Sequence, residues 1–203
     1  MEPWVRSDRH LTFTLASVAL DKMATYATEV LSGFVLPASL YRRDAVLSLE
    51  SMYHMSPPIG GRHSHRFVMF SPLNLPNSTV VVTNRVDGFS SLSFELAAKH
   101  QMNQFQVIST PELDEYPQNL IRLWERGVEI RRVLAMKDSD RWVFLQSGTP
   151  TFAEDVAVYS RRKIKDRLNR FEIIEIMRRY GVDILSDGFW SSDRSAIYFL
   201  NYT

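Results

Sequence analysis

Three β-rich runs separated by two very short turns constrain the fold of this chain most strongly. The runs cover residues 119–125, 128–137 and 141–146, and only Arg126-Gly127 and Asp138-Ser139-Asp140 separate them. Turns this short join neighbouring strands that run in opposite directions. The sequence therefore predicts an antiparallel meander in this part of the chain.

The middle run also predicts how its side chains divide between the two faces of the sheet. Apolar and charged residues alternate along it, with Arg132 as an interruption. The apolar set is Val128, Ile130, Leu134 and Met136, and the charged set is Glu129, Arg131 and Lys137. Because successive side chains of a strand point to opposite faces, we expect the apolar set to contact the core. The other face of the sheet is then exposed to solvent or covered by polar groups.

Upstream of the meander, residues 79–109 have the pattern of a strand, a helix and a second strand. The β-branched run TVVVTN is followed by a turn at Asp87-Gly88, a helix that begins at Ser90 or Ser91 and ends near His100, and the run FQVIST. A unit of about 30 residues favours a parallel pair of strands with a right-handed crossover. The run FVMF predicts another strand just before it.

The N-terminal part gives one clear element and one ambiguous one. Apolar residues recur at spacings of three and four over residues 11–31, which predicts a helix. Residues 41–54 fit a short helix or a strand, and we favour a strand. The prolines and glycines of SPPIGGRHSHR, residues 56–66, predict a loop.

Two capping patterns predict a pair of helices near the C-terminus. Thr151 is followed three residues later by Glu154, and Asn169 is followed by Glu172 at the same spacing. In this arrangement the first side chain accepts from a free N–H of the first helical turn, and the carboxylate reaches back. Gly181 suits the end of the second helix. The two helices therefore meet at Asn169.

Residues 182–185 predict a short strand, and residues 195–203 predict a final strand after the loop SDGFWSSDR. Together the elements predict an α+β fold in a single domain, residues 1–203. Its mixed sheet contains the strand-helix-strand unit followed by the three-stranded antiparallel meander, and the helix pair and the final strand complete it. A weak subdivision would fall at residues 111–117, but this linker has the length of an ordinary connection.

Composition and missing motifs exclude several classes of function. The 203 residues carry a formal charge of +1 and no cysteine, which excludes disulfides, thiolate zinc sites and cysteine nucleophiles and suits a cytoplasmic protein. No apolar run is long enough for a membrane span. The phosphate-binding patterns GxxxxGK and GxGxxG are absent, as are GxSxG and HExxH. We therefore assign no catalytic residue, cofactor or metal ligand.

The loop that contains His54, His63 and His65 keeps a second class of function open. His63 and His65 project to the same side of an extended segment, where they are able to share a metal ion. The flanking Arg62 and Arg66 disfavour a cation at this position. We therefore favour an exposed polar loop over a metal site. A metal-dependent enzyme that uses this loop is the alternative function, and if the two histidines have a role, contact with a partner explains them as well as catalysis does.

Positive charge is concentrated in one segment near the C-terminus. Residues 161–179 contain eight Lys or Arg against three acidic residues. On the first predicted helix Val156, Ser160, Ile164 and Leu168 form the inward stripe. Its basic face is either a solvated face that Asp166, Glu172 and Glu175 partly neutralise, or a docking surface for an acidic protein partner. One short helix lacks the broad basic footprint that nucleic acid requires.

We therefore predict a non-enzymatic protein-binding module, such as a bacterial immunity-type protein that neutralises a partner toxin. Tryptophan and arginine are frequent anchors of protein interfaces. The candidate partner-binding residues are Arg161, Arg162, Lys165, Trp124, Trp142, Trp190, His63 and His65. A nucleic-acid accessory protein that grips phosphates through Arg161, Arg162 and Lys165 is a further alternative. The sequence leaves the oligomeric state open.

Overall fold

One antiparallel sheet runs through the part of the chain that the computed structural model describes, which is residues 10–33, 39–43, 66–193 and 196–200. Its strands are β1 (Leu11–Ala16), β2 (Ser39–Arg43), β3 (Arg66–Phe70), β4 (Thr79–Thr83), β5 (Gln104–Ser109), β6 (Gln118–Glu125), β7 (Val128–Asp138), β8 (Arg141–Gly148) and β9 (Ala196–Leu200). They lie in the order β2-β9-β3-β4-β1-β5-β6-β7-β8. The helices are α1 (Leu20–Leu31), α2 (Ser90–His100), α3 (Arg170–Arg179) and α4 (Asp187–Trp190).

The central strand β1 corrects the prediction of one helix over residues 11–31. β1 lies between β4 and β5, and all six of its residues are buried. Leu11, Phe13 and Leu15 belong to the core on one face of the sheet, which is the spacing of two that a strand gives. The helical pattern holds only from Leu20 onwards.

β1 also explains why the sheet is antiparallel and not mixed. The predicted succession of strand, helix and strand is confirmed as β4, α2 and β5. The predicted parallel pairing is wrong, because β4 and β5 each pair with β1 in antiparallel fashion. The two strands run in the same direction, but β1 separates them.

The antiparallel meander is confirmed, and β6, β7 and β8 pair in chain order. The face of β7 that contacts the core is the opposite of the predicted one. Arg131, Val133 and Ala135 are buried, whereas Leu134 is half-buried and Val128 is 63% exposed. The buried face accepts a charged side chain at Arg131 because a carboxylate from the C-terminal segment meets it there.

Two apolar layers cover the two faces of the sheet. On one face, residues of β1, β3, β4, β5, β6 and β7 pack against the C-terminal segment, which contributes Leu168, Ile173, Met177 and Phe189 among others. On the other face, α1 and α2 pack over β3 and β4 through Met23, Leu92, Leu96 and Phe67. No helix among the described ranges is long and apolar enough to cross a membrane.

The first helix of the predicted C-terminal pair does not form. Residues 152–168 contain two 3-10 turns, Val156–Ser160 and Ile164–Asp166, and Arg161 between them has an extended backbone. Asp155 accepts a hydrogen bond from the N–H of Ala157, which closes a local turn in place of a continuing helix. The predicted inward stripe is accordingly wrong, since Val156 is 51% exposed.

Of the remaining C-terminal predictions, two are confirmed and one is wrong. The second helix is confirmed as α3, and the final strand as β9. The short strand predicted at residues 182–185 does not form, since residues 182 and 183 are irregular and residues 184 and 185 lie in a turn. The helix α4 lies within the predicted loop. β2 lies at the start of the segment for which we favoured a strand, and the rest of that segment lies outside the described residues.

The N-cap of α3 gives a first testable prediction. Asn169 Oδ1 accepts a hydrogen bond from the N–H of Glu172 at 3.1 Å, as the sequence predicts. Asn169→Ala leaves this donor unpaired and is expected to lower the free energy of unfolding by about 1 kcal/mol, whereas Asn169→Asp keeps an acceptor and is nearly neutral. Urea unfolding measures both variants, and equal losses would show that the cap does not stabilise α3.

Candidate partner-binding surface

An open depression lies beside the hairpin that joins β7 and β8, and Trp142 lines it. Its volume is about 670 Å³. The two-residue turn at Ser139-Asp140 brings Lys137, near the end of β7, opposite Trp142 at the start of β8. The 3-10 turn around Ile164 supplies the other wall. We call this feature the Trp142 depression.

Positive charge predominates in the Trp142 depression. Four cations line it, and they are Lys137, Arg141, Lys163 and Lys165. The carboxylates of Glu112 and Asp114 line it as well. These six residues leave an excess of two positive charges around a half-buried indole ring.

The two carboxylates already have partners within the protein. Glu112 binds Lys165, and this hydrogen bond raises the pKa of the Lys165 ammonium. Asp114 lies 3.1 Å from His10 Nε2. Burial lowers the pKa of His10, although Asp114 opposes that shift. In contrast, Lys137, Arg141 and Lys163 form no ion pair with any residue that the structure describes.

A smaller cavity of about 230 Å³ adjoins the depression and shares Trp142, Lys165 and Glu112 with it. The side chain of Arg170, which is 8% exposed, lines this cavity. Arg170 Nε donates to Ser109 Oγ at 3.1 Å, and Nη2 donates to the Ser109 carbonyl oxygen at 3.0 Å. This cluster fixes the first turn of α3 to the end of β5.

The hydroxyl of Ser109 is not arranged as a nucleophile. Its oxygen lies 2.7 Å from Asn119 Oδ1 and accepts from Arg170 Nε. Neither an amide nor a guanidinium removes a proton from a serine, so the pair of nucleophile and base that acyl transfer needs is missing here. In the described ranges, no group of three or more His, Asp or Glu side chains is placed to hold a metal ion.

The depression brings together two of the predicted partner-binding residues, Trp142 and Lys165. Arg161 points elsewhere, since it donates to Glu172 at 2.8 Å and to the Asp166 carbonyl oxygen at 2.9 Å. Arg162 is exposed but does not line the depression. His63 and His65 lie outside the described residues, as does His54.

The other two predicted tryptophans lie in the core. Trp124 is fully buried and Trp190 is 2% exposed. Trp190 donates to the Ile184 carbonyl oxygen at 2.8 Å and packs edge-on against Phe13. The prediction that Trp124 and Trp190 anchor a partner at the surface does not fit this burial.

Sequence reasoning missed Lys137, Arg141 and Lys163 as members of the site. The signal for the first two is their position on either side of the predicted turn at residues 138–140, which places both at one end of the hairpin. Lys163 belongs to the basic run at residues 161–179, but the sequence gave no reason to prefer it over the other cations of that run. Comparisons with protein-family models, curated proteins and solved structures found no match for this chain.

Proposed function

We propose that this protein is a non-enzymatic binding module that docks an acidic segment of a partner protein in the Trp142 depression. The observation that carries the proposal is an indole ring beside three cations, Lys137, Arg141 and Lys163, that have no ion-pair partner in the described part of the chain. Tryptophan anchors interfaces through its large contact area. Unpaired cations attract carboxylates and accelerate their approach.

A protein partner fits this surface better than nucleic acid does. Glu112 and Asp114 interrupt the cations of the depression, so it does not offer the continuous basic surface that follows a phosphate backbone. Three unpaired cations also fall short of the broad basic footprint of nucleic-acid binders. An inhibitor of the immunity type, which neutralises a toxin by docking on it, is the kind of protein that we propose. It would act in the cytoplasm, in keeping with a chain that has no cysteine.

Poly-L-glutamate is a suitable probe of the depression, with the change in Trp142 fluorescence as the readout. Lys163→Ala is expected to weaken its binding about twofold to fivefold, because one exposed charge pair is lost. Trp142→Ala is expected to weaken it by more than about tenfold, as measured by calorimetry, because the anchor is removed. Binding is expected to weaken as salt rises.

Arg162→Ala is the matched control, since it removes a neighbouring exposed cation that does not line the depression. It is expected to leave the affinity within about twofold. Equal losses from Arg162→Ala and Lys163→Ala would show that charge alone attracts the probe, without this depression. Tighter binding of a single-stranded oligonucleotide than of poly-L-glutamate would favour the nucleic-acid alternative.

A further inference from the structure

β8 is the last strand of the sheet, so one of its sides has no neighbouring strand among the described residues. The N–H of Lys137 donates to the Pro117 carbonyl oxygen at 2.9 Å, on the β6 side of β7. Backbone groups alternate in direction along a strand, so the odd-numbered residues near this end of β7, such as Lys137, hydrogen-bond towards β6. The even-numbered residues of β7 therefore hydrogen-bond to β8. Their partners in β8 are Arg141, Val143, Leu145 and Ser147. The backbone N–H and C=O groups of Trp142, Phe144 and Gln146 therefore point away from the sheet.

This free edge lacks the devices that usually prevent strand pairing. None of the eight residues of β8 is buried, and Leu145 is 57% exposed. The strand contains no proline, its pairing with β7 shows no bulge, and Arg141 is its one charged residue. Proteins ordinarily protect such edges with proline, bulges or several charges. β8 is thus open to an added strand.

The two faces at this edge differ in chemistry. Trp142 is in register with Lys137 and lies on the side of the Trp142 depression, together with Lys137, Lys163 and Lys165. Val143 and Leu145 alternate with Trp142 and therefore lie on the opposite face. A neighbouring strand would place every second side chain beside the cations and the others beside these apolar groups.

We propose that the acidic partner segment binds as an extra strand along β8, with acidic residues on the Trp142 side and apolar residues on the Leu145 side. This inference rests on the proposed function and adds the conformation and the alternating pattern of the partner. Main-chain hydrogen bonds provide affinity, and the side chains select the sequence. A second copy of this chain fits less well, because β8 carries no carboxylate to meet Lys137 or Lys163.

The probe is a peptide of alternating Glu and Val with the eight-residue length of β8. At a peptide concentration about 100 times its Kd, hydrogen exchange of the Trp142, Phe144 and Gln146 amides is expected to slow about 100-fold. A control peptide with the same composition, in which all Glu precede all Val, is expected to bind at least about tenfold more weakly because it does not match the two faces.

Position 146 offers a matched pair of variants. Gln146→Ala and Gln146→Pro both remove the hydrogen bond from Arg131 Nη2 to Gln146 Oε1, which is 3.0 Å long. Only proline also removes the outward N–H and places a ring on the edge. Gln146→Ala is expected to bind the alternating peptide within about twofold of the unmodified protein, and Gln146→Pro at least about tenfold more weakly.

Peptides with N-methyl groups on alternate residues test whether the partner segment forms main-chain hydrogen bonds with β8, without changing the protein. One of the two possible methylation patterns should abolish binding and the other should preserve it, because alternate N–H groups of an added strand face β8. If Gln146→Pro fails to fold, this pair of peptides decides the question.

Three outcomes overturn strand addition and separate it from the proposed function. If both methylation patterns bind equally and the three amides stay unprotected while Lys163→Ala still weakens binding, the depression binds acidic segments without an added strand. If neither poly-L-glutamate nor the alternating peptide binds, the proposed function fails as well. If the three amides are protected without peptide in a dimeric protein, a second copy occupies the edge.

Discussion

Replacing Glu154 by Gln is expected to lower the free energy of unfolding by about 3–5 kcal/mol, because the change leaves a buried guanidinium without its counter-charge. The side chains of Arg131 and Glu154 are 3% and 2% exposed, and Arg131 Nη2 lies 2.6 Å from Glu154 Oε2. Glutamine preserves the shape of the side chain and removes only its charge. Urea unfolding measures the loss.

The carboxylate of Glu154 holds several groups together at once. It accepts from Arg131 Nε, from the N–H of Thr151 at 2.7 Å and from the hydroxyl of Tyr159 at 2.7 Å. Arg131 in turn donates to the carbonyl oxygens of Ser147 and Gly148. The pair therefore fastens the irregular segment after β8 to the meander, and its loss is expected to loosen that segment.

Glu175→Gln is the control for this prediction. Glu175 pairs with Arg178 on α3, but both side chains are about half exposed. Solvent screens such a pair, so the variant is expected to lose less than about 1 kcal/mol. Equal losses from Glu154→Gln and Glu175→Gln would contradict the role assigned to the buried pair. Replacing Arg131 and Glu154 together by leucine is expected to recover much of the loss, since no charge then remains buried.

The ion pair between Arg131 and Glu154 also makes the stability of the protein depend on pH. Burial by itself would raise the pKa of Glu154, but hydrogen bonds from Arg131, Thr151 and Tyr159 outweigh burial and hold the pKa below its usual value. The stabilisation is therefore complete above the pKa of the unfolded chain, about 4.3, and is lost as the pH falls towards the lower folded pKa. The difference between the unmodified protein and Glu154→Gln should narrow in acid.

Glu154 also shows where sequence reasoning succeeds and fails. The spacing of Thr151 and Glu154 predicts a hydrogen bond from the Thr151 N–H to the carboxylate, and that bond forms. The helix predicted to follow does not form. The carboxylate binds Arg131, which is 23 residues away, and no local pattern indicates a contact at that distance.

The contrast between the meander and β1 has the same physical basis. The turns Arg126-Gly127 and Ser139-Asp140 join consecutive strands, so short-range chemistry is sufficient to predict β6, β7 and β8. β1 instead pairs with strands at residues 79–83 and 104–109, and these long-range contacts determine its structure. Local periodicity predicts elements whose partners are adjacent in the chain.

The sequence predicted part of the candidate site and missed the features that depend on the position of a strand in the sheet. Trp142 and Lys165 were predicted from residue type and local charge, and the Trp142 depression contains both. Residue type alone does not distinguish Trp142 from the buried Trp124, although both lie on the meander. The difference comes from position, because Trp142 lies on the edge strand and Trp124 on a strand with neighbours on both sides.

Gly148→Ala is expected to destabilise the protein by more than about 4 kcal/mol, because backbone strain and a steric clash add together at this position. Gly148 has a φ of +78°, and a Cβ there would lie 1.8 Å from the Ile130 carbonyl oxygen. That atom belongs to the backbone of β7, so relief requires a shift of the β7–β8 pairing. The shift would also displace the Gly148 carbonyl oxygen from Arg131.

Gly181→Ala separates the two causes at Gly148. Gly181 has nearly the same φ, +79°, but a Cβ there meets no atom within 4 Å. This variant is expected to lose about 1–2 kcal/mol from the left-handed backbone alone. Urea unfolding of both variants gives the cost of the clash as the difference, and equal losses would mean that φ alone requires glycine at position 148. Because Gly148 and Glu154 both hold Arg131, Gly148→Ala combined with Glu154→Gln is expected to cost less than the sum of the two single changes.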